Sequence, residues 1–253
     1  MSRLKDVRDG QNSPGGHQNR LLASLPREEY ERLRPHLIPT PLVYQYLLYQ
    51  ANEPIEFVHF IQTGVASQVK TMMNGDAAEV GTIGNEGMVG LPILFGDGQA
   101  PTSVYMQVAG ASLKMKAPVL RQELHQNRSL ETAMLHYASA FFNQVAQSAA
   151  CNTFHSVEQR CCRWLLMTYD RMQSAEFLLT QEFLAMMLGV RRAGVTVAAN
   201  ALKRDGLIQY TRGQVRILDP AGLGKRSCEC YSVTKGEFDR LLGAGRSWED
   251  HRL

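Results

Sequence analysis

Cysteine is absent from the first 150 residues of this 253-residue chain, and the five it has are Cys151, Cys161, Cys162, Cys228 and Cys230. An odd number, confined to the C-terminal part, argues against the disulfide framework that staples small secreted domains. No run of about 18 apolar residues occurs, which excludes a membrane-spanning helix. The first twenty residues lack the apolar core of a signal peptide, so a cytoplasmic address is expected. There is no Walker loop, no nucleophile–base pairing and no zinc-ligand spacing, and the seven histidines are scattered; no enzyme activity is expected. Cys228-Glu229-Cys230 is a short C-x-C without a second ligand pair beside it in sequence, and Cys161-Cys162 fall on a helical pattern. Both are expected to be packing residues, and no metal site is assigned.

Net charge is small, +3, but uneven. Residues 156–226 hold eleven Lys/Arg against six Asp/Glu, residues 1–155 twelve against thirteen, and residues 227–253 four against five. The positive excess therefore sits in one segment, as a phosphate-binding surface requires.

That segment contains the stretch from Leu178 to Leu218. Its pattern predicts a helix over Thr180 to Met187, a turn at Leu188-Gly189-Val190, and a second helix from Arg191 or Arg192 to about Arg204. Asp205-Gly206 ends it, and two strands, Leu207 to Thr211 and Gln214 to Leu218, follow around Arg212-Gly213. This is the order of a helix-turn-helix with a β-hairpin wing. Ala185 is small where crossing helices approach, and Leu184, Leu188, Val190 and Val195 recur where they share a buried face. Arg191, Arg192, Thr196, Asn200 and Lys203 point away from that face. A helix with arginine at its N-terminal end can enter a major groove and read guanine edges.

Elsewhere, residues 1–18 read as a mobile polar arm. Asn19 to Leu37 reads as an amphipathic helix broken at Pro26. Strands are expected over Val43 to Tyr49, Ile55 to Ile61, Gly64 to Met73, Ala78 to Ile83, Val104 to Val108 and Ser112 to Lys116, with a hairpin at Asn74-Gly75-Asp76. Many short strands between glycine-rich turns point to a β-barrel or jelly roll. The glycine-rich loop from Gly84 to Gly98 either exposes backbone N–H groups to an anion or supplies the bends of a small barrel. A short helix, Ala117 to Gln126, precedes a long one from Leu130 to Phe154 with two apolar stripes, so that helix needs two partners. One is the barrel; the other is the same helix of a second chain. The stripe of Leu130, Met134, Tyr137 and Phe141 is assigned to the second chain. Ser156 is a helix cap for the segment that opens the next domain. In the tail, Tyr231 to Val233 is expected as a strand and Lys235 to Leu242 as a helix, with the end frayed after Gly243.

Barrel, long helix, then winged helix-turn-helix is the order of the Crp/Fnr family of transcription regulators, and the chain resembles that family from about Leu21 to Leu218. The resemblance rests on Phe60-Ile61-Gln62-Thr63-Gly64, on Gly84-Asn85-Glu86-Gly87-Met88-Val89-Gly90, on His155-Ser156-Val157-Glu158-Gln159-Arg160, and on Gln181 to Leu202. It implies an α+β protein with a β-roll or jelly-roll sensor barrel over 19–126, a dimerisation helix over 127–154, a winged helix-turn-helix over 155–226 and a tail over 227–253. It also implies a homodimer that binds a two-fold symmetric site on double-stranded DNA, with RNA polymerase as a further partner of an activator. By position, Arg192 matches the family's guanine-reading arginine; Arg191 and Thr196 join it as expected base contacts. Thr180 and Gln181 match phosphate contacts, with Asn200, Lys203 and Arg212 expected to serve likewise. Ala193 and Val197 stand where the best-known members have a glutamate and a second base-reading arginine, which implies a different target site.

The sensor departs further. Leu91 and Pro101 stand where cyclic-nucleotide members carry a glutamate for the ribose and an arginine for the phosphate, and Val145 and Ala146 stand where they offer hydroxyls to the purine. Each charge-assisted hydrogen bond is worth about 1.5–3 kcal/mol, so two losses cost several orders of affinity. Cyclic AMP is therefore not expected to bind in the family's usual manner. The pocket for any other effector is expected at Gly90, Leu91, Thr102, Ser103 and Val145. The N-terminal cysteine cluster of the iron–sulfur members is absent, and His59 reads as an ordinary strand histidine rather than a haem ligand. Cys151 is the thiol best placed for control by oxidation. The competing reading is a ligand-binding signalling module whose helix-turn-helix contacts protein; it predicts that Arg192→Ala changes nothing.

Overall fold

The computed structural model describes residues 19–172 and 174–243. The arm expected over 1–18 and the frayed end after Gly243 lie outside them. Asn19 is fully buried and opens the fold. Its side chain accepts from the Leu22 N–H to cap α1 (Arg20–Ala23) and donates to the carbonyls of Ile61 and Gly87, each at 2.8 Å. The first helix is thereby stitched to the sheet behind it. After Pro26, α2 (Arg27–Leu33) and a 3-10 turn (Arg34–His36) complete the broken helix read from the sequence.

The sheet-rich half contains β1 (Ile38–Leu42), β2 (Leu47–Tyr49), β3 (Phe57–Thr71), β4 (Ala77–Ile83), β5 (Met88–Val89) and β6 (Ser103–Lys116). Their order is β1-β6-β3-β4, with β2 also on β6 and β5 also on β3, all antiparallel. Four expected strands are in fact two long ones. Gly64 and Gly110 bend β3 and β6 instead of ending them: Gly64 has φ +89, and a Cβ on Gly110 would stand 2.0 Å from the Thr63 carbonyl oxygen. The register shifts between Ile61 and Val65 mark this crossing. The expected strand at Val43 to Tyr49 begins only at Leu47, because Gln45 turns the chain at φ 62. β1 runs through Pro39 and Pro41, which an edge strand tolerates because no donor is needed on its open side.

After α3 (Ala117–Gln126) comes α4 (Arg128–Phe154), capped by the Asn127 side chain. Leu130, Met134, Tyr137 and Phe141 are buried in this chain's own core, and the Tyr137 hydroxyl donates to the Met88 carbonyl at 3.0 Å. Their assignment to a dimer interface is corrected accordingly: the barrel covers them. The outward stripe is the other one, with Leu135 49% and Phe142 70% exposed.

The C-terminal half contains α5 (Val157–Arg171), β7 (Glu176–Leu178), α6 (Gln181–Leu188), α7 (Arg192–Arg204), β8 (Ile208–Thr211), β9 (Gln214–Ile217), α8 (Pro220–Arg226) and α9 (Cys230–Leu242). Ser156 and Gln159 form a capping box at the start of α5. The wing is a three-stranded sheet, β7-β9-β8, with β7 unread in the sequence. The strand expected at Tyr231 is the first turn of α9. Cys230, Thr234, Phe238 and Leu242 recur every fourth residue and are buried, which is a helical stripe. α9 lies along α4, with the Phe238 and Tyr137 rings 6.4 Å apart. Phe238 and Leu242 belong to the barrel core, so the tail is part of the fold. A second core joins the helix-turn-helix to Val65, Val69 and Val108 of the sheet.

Candidate nucleic-acid interface and the joint behind it

Burial of one face orients α7. Val195, Ala198, Ala199 and Leu202 pack inward against Leu184, Ala185 and Leu188 of α6, within a single core. Gly189 makes the turn between the helices at φ +60, where its N–H bonds the Met186 carbonyl. From α5, the Arg160 guanidinium donates to the Leu188 carbonyl and so satisfies the end of α6. The opposite face of α7 presents Arg191, Arg192, Ala193, Val197, Asn200 and Lys203 to solvent. Arg191, Arg192, Asn200 and Lys203 form no side-chain hydrogen bond or ion pair among the described residues. Val197 is 71% exposed, an apolar group on a basic face of the kind that meets a thymine methyl.

The remaining expected contacts surround this face. Thr180 caps α6 by accepting from the Phe183 N–H at 3.1 Å. Thr196 is half-buried; its hydroxyl donates to Gln181 Oε1, 2.8 Å away, and also lies 3.1 Å from the Arg192 carbonyl oxygen. Arg212 sits exposed at the wing tip with φ 50, and Gly213 follows at φ 77.

Behind the interface, the helix-turn-helix is docked on the sheet through a polar seam. Arg171, at the end of α5, reaches Glu86 through two contacts, Nη2–Oε1 at 2.6 Å and Nε–Oε2 at 3.1 Å, and both side chains are almost fully buried. Arg171 also donates to Thr82 Oγ1 at 2.6 Å and to Gln144 Oε1 of α4 at 3.2 Å. Three parts of the chain thus converge on one guanidinium. Along the same seam the Trp164 indole N–H donates to Glu79 Oε1 at 3.3 Å, and the Ser67 hydroxyl donates to Glu79 Oε2 and lies 2.8 Å from Gln107 Oε1. Glu79 is half-buried as a whole residue, but its carboxyl is turned into the seam. Burial pushes that carboxyl up to about 7, opposed by the Ser67 bond and by Arg163. Phe183 of α6 packs on Tyr44 and Tyr105, with ring centroids 6.1 and 6.0 Å apart.

The first half of the glycine loop, Gly84 to Gly90, faces protein, whereas Phe95 to Asp97 are exposed. A Cβ on Gly84 would stand 2.4 Å from Arg171 Cδ, and one on Gly87 2.1 Å from the Tyr137 ring. The Gly84 N–H donates to Glu86 Oε1 and the Gly87 N–H to the Gly84 carbonyl. These two amides are engaged internally, which favours the packing reading over the anion reading there. Of the expected effector residues, Gly90 packs on Val58, and Leu91 and Val145 pack on the barrel core. Ser103 accepts from the Ala51 N–H, and the Thr102 hydroxyl is buried without a partner among the described residues. None of the five lines the cavity of about 20 Å³ at the seam, which borders Glu79, Gln144, Arg163 and Arg171. His59 is buried, with Nδ1 3.1 Å from Ser112 Oγ; burial, helped by Lys114, lowers its pKa to about 4 and keeps it neutral.

Two cysteine expectations are corrected. Cys161 and Cys162 pack in the helix-turn-helix core as read. Cys228 and Cys230, by contrast, do have a second pair beside them. The fold brings Cys151 and His155, from the end of α4, to the α8–α9 junction, and the four ligand atoms all lie within 4.8 Å of one another. Sequence spacing could not show this, because the pairs are more than seventy residues apart. Nor is Cys151 a thiol poised for oxidation by itself: it is fully buried, and burial pushes its pKa up to about 12.

Residues 159–226 match the family model of the Crp-like helix-turn-helix domain. Similar solved structures include FixK2 from Bradyrhizobium japonicum, 13% identical, with a TM-score of 0.65 over 76% of this chain and 98% of that one. A protein of the Crp/Fnr family from Eubacterium rectale ATCC 33656 is 16% identical, with a TM-score of 0.63 over 81% and 96%. TTHB099, a CRP-family transcriptional regulator from Thermus thermophilus, is 17% identical, with a TM-score of 0.61 over 74% and 96%. The chain carries a Crp-like helix-turn-helix domain on a Crp/Fnr fold. The resemblance read from the sequence is borne out at that level. No curated protein sequence matches the chain. Among the described residues, no helix of this Crp/Fnr fold is long and apolar enough to cross a membrane.

Proposed function

We propose that the chain is a homodimeric transcription regulator that reads a two-fold symmetric DNA site through α7. The observation that carries this is the outward face of α7: a row of cationic and amide side chains without partners among the described residues, on a helix whose other face is wholly packed. Arg192 is the guanine reader and Arg191 and Thr196 its neighbours at the base edges. Thr180, Gln181, Asn200, Lys203 and Arg212 hold the phosphates on either side. Val197 adds an apolar contact, so the target differs from that of members with arginine there.

Dimerisation uses the exposed residues of the second stripe, Leu135, Phe142 and Ala149. These repeat every seven residues, the period of a two-stranded coiled coil. Phe142 at 70% exposure supports a second copy at this face. The sensor barrel does not bind cyclic AMP in the usual way, because Leu91 and Pro101 supply neither the carboxylate nor the guanidinium. RNA polymerase is a further partner if the protein activates.

The reading is tested by fluorescence anisotropy on a duplex from upstream of the chain's own gene, at two salt concentrations, with and without cyclic AMP. Tight binding that falls with salt and ignores the nucleotide is expected. Binding that requires the nucleotide would refute the assignment of the barrel.

A further inference from the structure

Cys151 and His155 close α4, and Cys228 and Cys230 flank Glu229 at the start of α9. Cys151 Sγ lies 3.6 Å from Cys228 Sγ, and Cys230 Sγ lies 3.5 Å from His155 Nδ1. A tetrahedral zinc ion with Zn–S of about 2.3 Å and Zn–N of about 2.0–2.1 Å places its ligands about 3.8 Å apart for two sulfurs and about 3.5 Å apart for sulfur and nitrogen. These two separations are those of a single tetrahedral ion, and all four ligand atoms lie within 4.8 Å of one another. A disulfide would draw two sulfurs to about 2.05 Å, and an iron–sulfur cluster would hold its thiolates farther apart around an inorganic core.

The surroundings have the same character. The three cysteines form a buried cluster of their own, without an aliphatic or aromatic member. Packing alone would have filled such a site with leucine or valine. His155 turns Nδ1 inward and Nε2 outward to Glu229, 3.2 Å away, which is how a carboxylate orients a metal-binding imidazole. Gln147 Nε2 donates to Cys230 Sγ at 3.0 Å, a bond that supports a thiolate. Three thiolates, a neutral imidazole and Zn²⁺ carry a net charge of −1. Arg160 and Arg163 lie close enough to these thiols to offset it.

We propose that Cys151, His155 (through Nδ1), Cys228 and Cys230 bind one zinc ion that clamps the end of α4 to the α8–α9 junction. Binding forms three Zn–S bonds and one Zn–N bond and releases the three thiol protons to solvent. No open coordination position remains, so the site is structural. The clamp joins the long helix to the domain that carries α7, and it secures α9 along α4. The ion thereby fixes the angle of the joint between dimer helix and helix-turn-helix.

The test is metal analysis of the full-length chain, purified without chelator and desalted. One equivalent of zinc per chain is expected. Cobalt titrated into the zinc-stripped chain should develop thiolate-to-cobalt charge transfer and intense tetrahedral d–d bands, with an end point at one equivalent. Cys151→Ser and Cys228→Ser should each abolish stoichiometric zinc, His155→Cys should keep it as a four-cysteine site, and Cys161→Ala, outside the cluster, should keep it too. Should either serine variant fail to fold, the cobalt end point of the unmodified chain decides alone. The proposal is overturned by zinc far below one equivalent with no cobalt spectrum, by zinc that persists in the C151S/C228S variant, by iron with acid-labile sulfide, or by a Cys151–Cys228 disulfide in freshly isolated protein. All of these are read without DNA, so their failure leaves the proposed function standing.

Discussion

Removing Glu86 should loosen the whole molecule. Its carboxylate meets Arg171 at 2.6 and 3.1 Å inside the seam, where both side chains are only 6% exposed. Glu86→Ala leaves a guanidinium buried without its counter-charge, and breaking such a pair costs about 3–5 kcal/mol. Thr82 and Gln144 still accept from Arg171, which places the expected cost near the lower end, about 3 kcal/mol. Set against a domain stability of about 5–15 kcal/mol, that is a large fraction. The pair also joins the barrel to α5, so the loss should appear as earlier release of the helix-turn-helix from the sheet. Urea unfolding followed by tryptophan fluorescence reports it, because Trp164 lies in the same seam. Arg171→Met should cost a similar amount. The double variant E86L/R171M should recover most of the loss, because apolar replacement of a buried pair is near neutral. Single variants costing less than about 1 kcal/mol, or a double variant as unstable as the two losses added, would refute the pair as the latch of the seam.

Three other outcomes are expected. Arg192→Ala should weaken binding to the specific site by about 1–3 kcal/mol, roughly five- to 150-fold, and leave non-specific binding nearly unchanged; anisotropy on specific and scrambled duplexes separates the two. Phe142→Glu should convert the proposed dimer to a folded monomer in sedimentation velocity, with far-UV circular dichroism retained, since Phe142 is exposed within one chain. Glu79, raised to about 7 in the folded state, binds a proton there that the unfolded chain has already released above about 4.5. Stability should therefore fall as pH rises from about 4.5 to 7, by up to about 3 kcal/mol, and level off above that. Glu79→Gln should flatten this dependence, and an unchanged slope in urea titrations across the range would contradict the assignment.

The helix-turn-helix was legible because its pattern is local. The apolar spacing around Leu184 and Val195, the turn at Gly189 and the hairpin at Arg212-Gly213 each lie within a few residues of what they determine. The strands were harder, because Gly64 and Gly110 read as breaks until β3 and β6 are seen to cross there. The sequence shows two apolar stripes on α4, but which one meets the barrel depends on contacts from Gly87 and Met88, some fifty residues away. The tail reads as a strand followed by a helix because its helical stripe is carried by Cys230 and Thr234, weakly apolar residues, as much as by Phe238. The four-ligand cluster was invisible for a stronger reason: the spacing rule for metal sites looks for pairs near one another in sequence. These pairs meet only because α9 folds back onto α4.

The most direct test of the central account is genome-wide capture of DNA by the purified protein, run in parallel with Arg192→Ala. The account predicts enrichment of fragments sharing one two-fold symmetric motif, with guanine at a fixed place in each half-site, and loss of that motif in the variant. No shared motif, or the same motif enriched by both proteins, would contradict reading of DNA by the exposed face of α7.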